Sequence, residues 1–260
     1  MSVVDPLVTA VVLMQNEAPH VAPCLRTLRW ADELIVVDGG SFDDTRRMAA
    51  DGGARVVDRT WDHWAAQRNF ALSLVTTPWV LFVDADERVP PELAAEIRKR
   101  VGAASRAGSP SGFWLPRQNL ILGRWLRHAG WYPDRQLRLF RADRGRYDPN
   151  LRVHELVELQ GTAENLCEHL LHHNYVTWRQ FWSKQVKYAR TEAAQLHAVG
   201  VRAKPRNLVL QPLRELRRRY VTLAGYRAGF VGLRLSLALA AANSVKYTEL
   251  WRLNRGRASR

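Results

Sequence analysis

The most informative stretch of the chain is Val80-Leu81-Phe82-Val83-Asp84-Ala85-Asp86-Glu87, in which an apolar run ends on a pair of aspartates. The run is β-branched and continuous rather than alternating, which is typical of a parallel strand covered on both faces. Ligands of open α/β sheets bind outside the carboxyl ends of such strands. Hard carboxylate oxygens suit Mg²⁺ or Mn²⁺, and a diphosphate can complete the coordination shell. An isolated pair of this kind is also typical of a turn or of a cap for the helix after it.

Three further apolar runs precede this one, and helical segments separate them. The predicted strands are Thr9–Met14, Leu34–Asp38, Ala54–Asp58 and Trp79–Asp84. The predicted helices are Ala18–Arg29, Asp43–Ala50, Trp64–Leu74 and Pro91–Val101. This alternation predicts an α/β fold with an open, mostly parallel sheet, flanked by helices and joined by right-handed crossovers.

Acidic residues follow the ends of the predicted strands, and their negative charge would repel a phosphate bound directly to them. A divalent cation between the acids and a phosphate would resolve the conflict. The chain has neither GxGxxG nor GxxxxGK[ST], so the glycine cradle of dinucleotide and P-loop proteins is absent from the sequence. At the end of the second predicted strand, Asp38 is the residue expected to contact a ligand. Ser41, Asp43 and Asp44 are expected to cap the helix that follows.

The 260 residues carry a formal net charge of +14, which favours an anionic partner. The charge is uneven: about −4 over residues 1–100 and about +10 over residues 205–260. Two cysteines far apart, Cys24 and Cys167, exclude a disulfide framework and indicate a reducing compartment.

The basic tail has the pattern of amphipathic helices. Arg227 and Arg234 are seven residues apart in an apolar stretch, so on one helix they would share a face. Such a helix suits the plane of an anionic bilayer; the alternative is a helical hairpin folded back on the protein, with Gly225 and Gly229 allowing close approach. We expect no signal peptide and no spanning helix, because the best apolar run, Leu235–Val245, is too short.

Four motifs, in this order, resemble inverting glycosyltransferases of family 2. They are Gln15-Asn16-Glu17, Val37-Asp38-Gly39-Gly40-Ser41-Phe42-Asp43-Asp44-Thr45, Gln67-Arg68-Asn69 and Asp84-Ala85-Asp86-Glu87. Three later segments resemble the subgroup that includes lipopolysaccharide-core glucosyltransferases acting on heptose: Trp131-Tyr132-Pro133-Asp134, Arg138-Leu139-Phe140-Arg141 and Val153-His154-Glu155. The resemblance implies the GT-A fold and a nucleotide-diphospho-sugar donor, with UDP-glucose favoured.

The resemblance also implies roles for individual residues. Those expected to contact the nucleotide sugar are Asn16, Glu17, Asp38, Arg68 and Asp84. Asp38 would contact the nucleobase or ribose, and Asp86 would ligate the Mg²⁺ or Mn²⁺ that bridges the diphosphate. Gly39 stands where many members of the family carry a second Asp, so one nucleotide contact is missing or replaced.

An inverting transfer needs a base, because the acceptor hydroxyl must lose a proton as it attacks the anomeric carbon. Glu155 lies some 70 residues past the paired aspartates, where the family usually places its Asp or Glu base. A structural ion pair with Arg152 or Arg138 is the alternative for Glu155. Asp134 is the competing base, with a turn after the preceding proline as its structural alternative.

Two residues are expected to contact the acceptor. Trp131 could stack on a sugar ring, although core packing is an equal alternative. His154 would orient Glu155 or touch the acceptor. The histidine-rich segment Glu168-His169-Leu170-Leu171-His172-His173 has no spacing that fixes three metal ligands, so packing or acceptor contact is expected there.

We therefore expect a catalytic domain over residues 1–204, with a nucleotide-sugar half (1–100) and an acceptor half (101–204), and a membrane-associating helical tail over residues 205–260. The expected activity is metal-dependent, inverting transfer of a hexose to a saccharide or lipid-linked acceptor. Its expected place is cell-envelope lipopolysaccharide or glycolipid assembly at the cytoplasmic face of the cell membrane. One alternative is a basic nucleic-acid-binding protein, although no recognition module appears and nucleic acid is not the expected partner. The other is a transferase with a polyprenyl-phosphate acceptor.

Overall fold

A computed structural model of the chain describes residues 7–104, 108–149 and 156–256. The chain divides into two units, each formed from two segments. Unit 1 comprises Met1–Gln118 and Asp134–His172, and unit 2 comprises Asn119–Pro133 and His173–Arg260. His154 and Glu155 lie outside the described residues.

Unit 1 begins with four parallel strands, as the apolar runs predict. They are β1 (Val8–Met14), β2 (Glu33–Asp38), β3 (Arg55–Asp58) and β4 (Trp79–Asp84). Their order in the sheet is β3-β2-β1-β4, so β1 pairs in parallel with both β2 and β4. The carboxyl ends of these strands therefore meet at one edge of the sheet.

Helices connect these strands at the predicted places. They are α1 (Ala18–Arg26), α2 (Thr45–Asp51), α3 (Trp64–Ser73) and, after β4, α4 (Pro91–Ala103). Successive residues of β1 enter two different hydrophobic clusters, with Val12 in the cluster that α1 and α4 cover and Val11 in the cluster that α3 covers. Both faces of the sheet are buried, which explains the continuous apolar runs.

Shorter strands extend the sheet past β4. They are β5 (Glu87–Arg88), β6 (Gly112–Ile121), β7 (Arg124–Trp125), β8 (Arg135–Arg141), β9 (Gly145–Tyr147), β10 (Val157–Leu159), β11 (Ala163–Asn165) and β12 (Leu170–Tyr175). The strand β8 runs antiparallel to β4, and β6 runs antiparallel to β8. The strand β12 runs antiparallel to β5, with His172 opposite Glu87. The predicted class, an open α/β sheet of mostly parallel core strands flanked by helices, is confirmed.

Unit 2 is built mainly from helices. They are α5 (Trp178–Ala198), α6 (Asn207–Arg217) and α7 (Gly229–Gly256), with a π-helical turn at Arg218–Thr222 and a 3₁₀ turn at Gly225–Ala228 before α7. Phe181 of α5 and Leu235 and Leu239 of α7 are buried in one hydrophobic cluster. Ile121, Leu126 and Tyr175 are the other buried members of that cluster, so α7 supplies part of the core of unit 2.

Two expectations about the tail are corrected. Gly229 has φ of +60° and ends the 3₁₀ turn, so Arg227 and Arg234 do not share the face of one continuous helix. The expectation that no segment could span a membrane was also wrong. Gly225–Arg255 is long and apolar enough by length and composition, with a mean hydropathy of 1.4 in an 18-residue window of which 28% is buried. Arg234 and Lys246 bound the apolar run Leu235–Val245, but a longer window that includes a charged residue still has a high mean hydropathy.

Candidate active site

The paired aspartates lie in a tight turn between β4 and β5. Asp84 is the last residue of β4, and its backbone N–H donates to Oε2 of Glu87 at 2.9 Å. The side chain of Glu87 is fully buried, so it supports the turn from inside and does not face solvent. The helix α4 begins after Pro90 without a side-chain cap, which removes the capping alternative for Asp86 and Glu87.

Two arginines hold the carboxylate of Asp84. Nη2 of Arg138 donates to Oδ2 of Asp84 at 2.5 Å, and Nη2 of Arg68 lies 3.8 Å from Oδ1. Burial would raise the pKa of Asp84, but the guanidinium groups of Arg138 and Arg68 lower it to about 2. Asp84 is therefore ionised and oriented at neutral pH without any ligand.

The Gln67-Arg68-Asn69 motif on α3 positions one of these arginines. The guanidinium of Arg68 lies over the ring of Tyr147, 5.3 Å from its centroid. Asn69 fixes Tyr147 in turn, donating from Nδ2 to its carbonyl at 2.7 Å and accepting its N–H at 3.0 Å. Gln67 donates to the carbonyl of Thr60 at 3.0 Å, which ties α3 to the segment after β3.

A second arginine bridge links the turn to Asp134. Arg117 on β6 lies 3.3 Å from Oε1 of Glu87 through Nη1 and 2.7 Å from Oδ2 of Asp134 through Nη2. Gln136 donates to the other oxygen of Asp134 at 2.9 Å. Burial and the neighbouring charge of Asp84 raise the pKa of Glu87, while Arg138 and Arg117 oppose that rise. The structure thus brings Asp84, Glu87 and Asp134 into one buried network of charges.

Asp86 lies beside a histidine from a distant part of the chain. Oδ2 of Asp86 is 3.5 Å from Nε2 of His172 on β12, and the Asp86 side chain is partly exposed whereas His172 is nearly buried. A carboxylate fits Mg²⁺ or Mn²⁺, and a neutral imidazole is a common metal ligand, so this pair fits a divalent cation whose other ligands come from a substrate. Among the described residues no group of three His, Cys, Asp or Glu could hold a metal by itself.

The loop after β2 is held by the carboxylate of Asp38, which is fully buried. It accepts hydrogen bonds from the N–H groups of Gly40 and Ser41 at 2.9 and 2.8 Å and from the Ser41 hydroxyl at 2.5 Å. Gly40 has φ of +89°, which favours glycine there. A Cβ on Gly39 would lie 3.0 Å from the ring of Trp61, so that indole takes up space that a second Asp would need.

Asn16 and Glu17 brace the same loop from the end of β1. Asn16 has φ of +57°, donates its N–H to the Ser41 hydroxyl at 2.8 Å and accepts the N–H of Phe42 at 3.0 Å. The N–H of Glu17 donates to the hydroxyl of Thr45 at 2.8 Å, at the start of α2.

The remaining predicted residues lie elsewhere. Trp131 belongs to unit 2, where its ring centroid is 6.1 Å from that of Tyr175. His154 and Glu155 are not among the described residues, so their roles stay predictions. Sequence reasoning missed Arg117 and the pairing of His172 with Asp86. A charged residue inside an otherwise buried strand, as at Arg117 and Arg138, is the signal that could have found the arginines.

The fold and this edge of unit 1 define the chain as an α/β protein whose charged side chains gather at the carboxyl ends of its parallel strands, which is where open α/β sheets bind ligands. Residues 9–150 match the family model described as Glycosyl transferase family 2, which is more than half of the chain. The chain belongs to this family, and the predicted family and the prediction of a glycosyltransferase are confirmed.

Relatives of this chain include two bacterial proteins. The lipopolysaccharide core biosynthesis glycosyltransferase LpsC of Rhizobium meliloti (strain 1021) is 28% identical over 235 residues, covering 86% of this chain and 84% of LpsC. The uncharacterized glycosyltransferase RC0292 of Rickettsia conorii (strain ATCC VR-613 / Malish 7) is 41% identical over 91 residues, covering 35% of this chain and 32% of that protein.

Similar solved structures include S. aureus TarS 1-349 in complex with UDP-GlcNAc, at 12% identity and a TM-score of 0.49 over 97% of this chain and 92% of that chain. Glucosyl-3-phosphoglycerate synthase from Mycobacterium tuberculosis in complex with phosphoglyceric acid is 17% identical, with a TM-score of 0.49 over 76% of this chain and 81% of that chain.

Proposed function

We propose that this protein is a metal-dependent, inverting glycosyltransferase that moves a hexose from a nucleotide-diphospho-sugar to a saccharide or lipid-linked acceptor. The observation that carries the proposal is the turn after β4. Two arginines neutralise Asp84 there, whereas Asp86 is directed to a histidine and keeps partial exposure. The two carboxylates of one short motif thus have different environments and can serve different purposes.

In this proposal Asp84 contacts the ribose and Arg68 contacts the nucleotide. The fixed, ionised state of Asp84 supports its role, because a carboxylate held by two arginines does not reorganise when the donor arrives. The loop after β2, which in this proposal binds the nucleobase, is supported by Asp38, Asn16 and Glu17. The carboxylate of Asp38 holds backbone N–H groups of that loop, so it shapes the loop in addition to any contact with the nucleobase.

The metal site of the proposal consists of Asp86 with His172 as a second candidate ligand. A bound Mg²⁺ or Mn²⁺ supplies Lewis-acid stabilisation of the diphosphate charge that develops as the sugar leaves. The arginine network around Asp84 keeps that carboxylate ion-paired, which leaves Asp86 as the carboxylate suited to the cation.

Glu155 is proposed as the base that takes the proton of the acceptor hydroxyl, with Asp134 as the competitor. The contacts of Asp134 favour a structural role, since Arg117 and Gln136 bind its two oxygens. A carboxylate in such contacts is a weaker base than one that can reach the acceptor alone. His154 and Trp131 are proposed to contact the acceptor.

The similarity to LpsC supports an acceptor in lipopolysaccharide core assembly. UDP-glucose is the proposed donor, since the chain resembles glucosyltransferases of this kind.

Two substitutions test the chemistry. Asp86→Asn should abolish the Mn²⁺-dependent part of UDP-glucose binding, measured by thermal shift, because a bound ligand stabilises the fold by mass action. Glu155→Gln should keep donor binding and lose transfer to a lipopolysaccharide acceptor. Asp143→Asn, at an exposed carboxylate paired with Arg141, is the control that should change neither. If Glu155→Gln transfers the sugar normally, Glu155 is not the base and Asp134 becomes the assigned base. If Asp86→Asn still binds UDP-glucose in a Mn²⁺-dependent way, the proposed metal site is refuted.

We further propose that unit 2 binds the cytoplasmic face of an anionic membrane. Val209, Leu210 and Leu213 are exposed on α6, and Leu213 lies four residues after Val209 and three after Leu210, so it neighbours both on one side of the helix. Arg206 directly precedes α6 and Arg214 lies on it, and each cation near an anionic bilayer contributes about 1 kcal/mol. An apolar face beside cations is the pattern of a helix that lies in the plane of a membrane surface.

Co-sedimentation with vesicles tests the membrane surface directly. The full chain should pellet with phosphatidylglycerol vesicles and much less with phosphatidylcholine vesicles, and Leu210→Ser with Leu213→Ser should weaken binding about tenfold or more. Val199→Ser, at an exposed valine just past α5, is the matched control. Equal binding by the double variant and the wild type would refute the surface.

A further inference from the structure

The loop after β2 keeps its acidic side chain out of reach of a ligand. The carboxylate of Asp38 is fully buried, and its two oxygens accept hydrogen bonds from the N–H of Gly40 and the hydroxyl of Ser41. The ring of Trp61 fills the space beside Gly39, where a Cβ would lie 3.0 Å from it. A nucleobase at this loop therefore cannot reach Asp38 unless the loop opens.

Two tryptophans lie next to that loop and form an indole pair, Trp61 and Trp64. Their ring centroids are 4.7 Å apart with an angle of 87° between the ring planes. Trp64 is 41% exposed, although an indole is among the largest apolar side chains. The pair thus presents aromatic surface to solvent at the edge of the sheet where open α/β sheets bind ligands.

The segment that carries the indole pair is fixed without a ligand. The N–H of Ala66 donates to Nδ1 of His63 at 3.3 Å, which caps the start of α3 one residue before Trp64. Gln67 donates to the carbonyl of Thr60 at 3.0 Å, which holds the residue before Trp61. Rings that are positioned in advance lose little conformational freedom when a ligand stacks on them.

Arg68 connects the indole pair to the proposed ribose contact. Its guanidinium carbon lies 5.8 Å from the ring centroid of Trp64, and its Nη2 lies 3.8 Å from Oδ1 of Asp84. The indoles and Asp84 are therefore neighbours of one guanidinium, as a base surface and a ribose contact for one nucleoside should be. Phe42, the other exposed aromatic residue in the described part of unit 1, has no ring contact with any of these residues.

From these contacts we propose that Trp61 and Trp64 form the surface on which the nucleobase of the donor stacks, and that this stacking, rather than hydrogen bonds to Asp38, supplies most of the affinity for the base. The inference rests on the proposed function, since it takes the donor to be a nucleotide sugar. Stacking tolerates different bases because every base has a π-face. UDP, CDP and ADP should therefore bind the wild type with affinities within about tenfold of one another.

Isothermal titration calorimetry on the full chain with Mn²⁺ tests the indole pair, with UDP and inorganic pyrophosphate as probes. Pyrophosphate carries the diphosphate charge without a base. Trp64→Ala should weaken UDP binding at least about fivefold and leave pyrophosphate binding unchanged, because only the stacking contact is lost. Trp64→Phe keeps an aromatic ring and should retain most of the affinity for UDP. Trp182→Ala is the matched control, since Trp182 is also 41% exposed but lies on α5 of unit 2.

Four results would overturn the proposal. The first is equal UDP binding by the wild type and Trp64→Ala. The second is an equal loss of pyrophosphate binding in Trp64→Ala, which would mean a general disturbance of the site. The third is a preference of the wild type for UDP over CDP and ADP of more than about tenfold, which would indicate that hydrogen bonds read the base. The fourth is a loss of UDP binding in Phe42→Ala but not in Trp64→Ala.

Transfer from UDP-glucose to a lipopolysaccharide acceptor separates this proposal from the proposed function. UDP binding that depends on Trp64, without transfer by the wild type, refutes the proposed function and leaves the indole pair as a nucleotide site. Transfer by the wild type, with UDP binding that is unaffected by Trp64→Ala, refutes the indole pair alone.

Discussion

Replacing Arg138 by methionine should destabilise the protein more than any change to an exposed arginine. Arg138 is 6% exposed and donates to Asp84 at 2.5 Å, so methionine keeps most of the side-chain length and removes the charge. Removing one partner of a buried pair leaves the other charge uncompensated, which costs about 3–5 kcal/mol.

Three features of the pair place the expected value near the lower end, at about 3 kcal/mol. Arg68 still lies 3.8 Å from Asp84, and 30% of the Asp84 side chain is exposed to solvent. The charge of Asp84 is therefore still partly compensated when Arg138 is absent. In addition, Nε and Nη1 of Arg138 are buried without partners among the described residues, so the wild type already carries part of their desolvation cost.

Urea unfolding of the wild type, Arg138→Met and Arg141→Met measures the effect. Arg141 lies on the same strand but pairs with Asp143 at the surface, so its loss should cost less than about 1 kcal/mol. Arg138→Met combined with Asp84→Asn should be more stable than the two single losses together imply, by about 2 kcal/mol. Equal effects of the two arginine variants, or strict additivity in the double variant, would refute the reasoning.

The pH dependence gives a second check on the same pair. The pKa of Asp84 is about 2, below its ordinary value of 3.8, so the ionised carboxylate stabilises the fold at neutral pH and this contribution is lost as the pH falls towards 2. Without Arg138 the pKa rises. The stability difference between wild type and Arg138→Met should therefore shrink as the pH falls from 5 to 2; a constant difference would mean that the pair is not electrostatic.

Other predictions concern thiols, glycines and a buried acid. Cys167 is exposed whereas burial raises the pKa of Cys24 to about 12, so a thiol reagent at pH 8 should modify one cysteine in the native protein and both in urea. Gly232→Ala should destabilise by about 1–3 kcal/mol, since its Cβ would lie 2.0 Å from a carbonyl oxygen, whereas Gly102→Ala, with open space around it, should be neutral or stabilising in the same thermal melts. Because burial and the charge of Asp84 raise the pKa of Glu87, the wild type should gain stability relative to Glu87→Gln as the pH falls through that raised pKa, and an equal stability difference at every pH would contradict the raised pKa.

The four parallel strands β1 to β4 could be predicted because the residue pattern that identifies each strand lies within the strand itself. The apolar runs of β1, β2 and β4 are buried on both faces, whereas the edge strand β3 is only partly buried. The hydrophobic pattern alone nevertheless places all four strands within a residue or two. The end of each strand fixes where its acids lie, so the shared edge that carries Asp38 and Asp84 also follows from the sequence.

The partners of those acids could not be predicted, because they come from distant strands. Arg138 and Arg117 meet the turn only once β8 and β6 add to the sheet, and His172 reaches Asp86 because β12 pairs with β5. In the tail, the hydrophobic pattern likewise did not reveal that one glycine has a positive φ. Gly229 ends one helical turn and starts α7, which separates two arginines that a continuous helix would have aligned.

The positive charge of the chain falls in two different environments, and the burial of the arginines distinguishes them. Arg68, Arg117 and Arg138 are mostly buried around two acids of the site, so their charges are neutralised locally and cannot attract a distant partner. The cations of α6 lie beside exposed leucines and are available to a surface. Added salt should therefore weaken vesicle binding strongly, because exposed charges are screened within about 8 Å at 0.15 M. The same salt should leave the Arg138–Asp84 coupling almost unchanged, since buried pairs are screened much less.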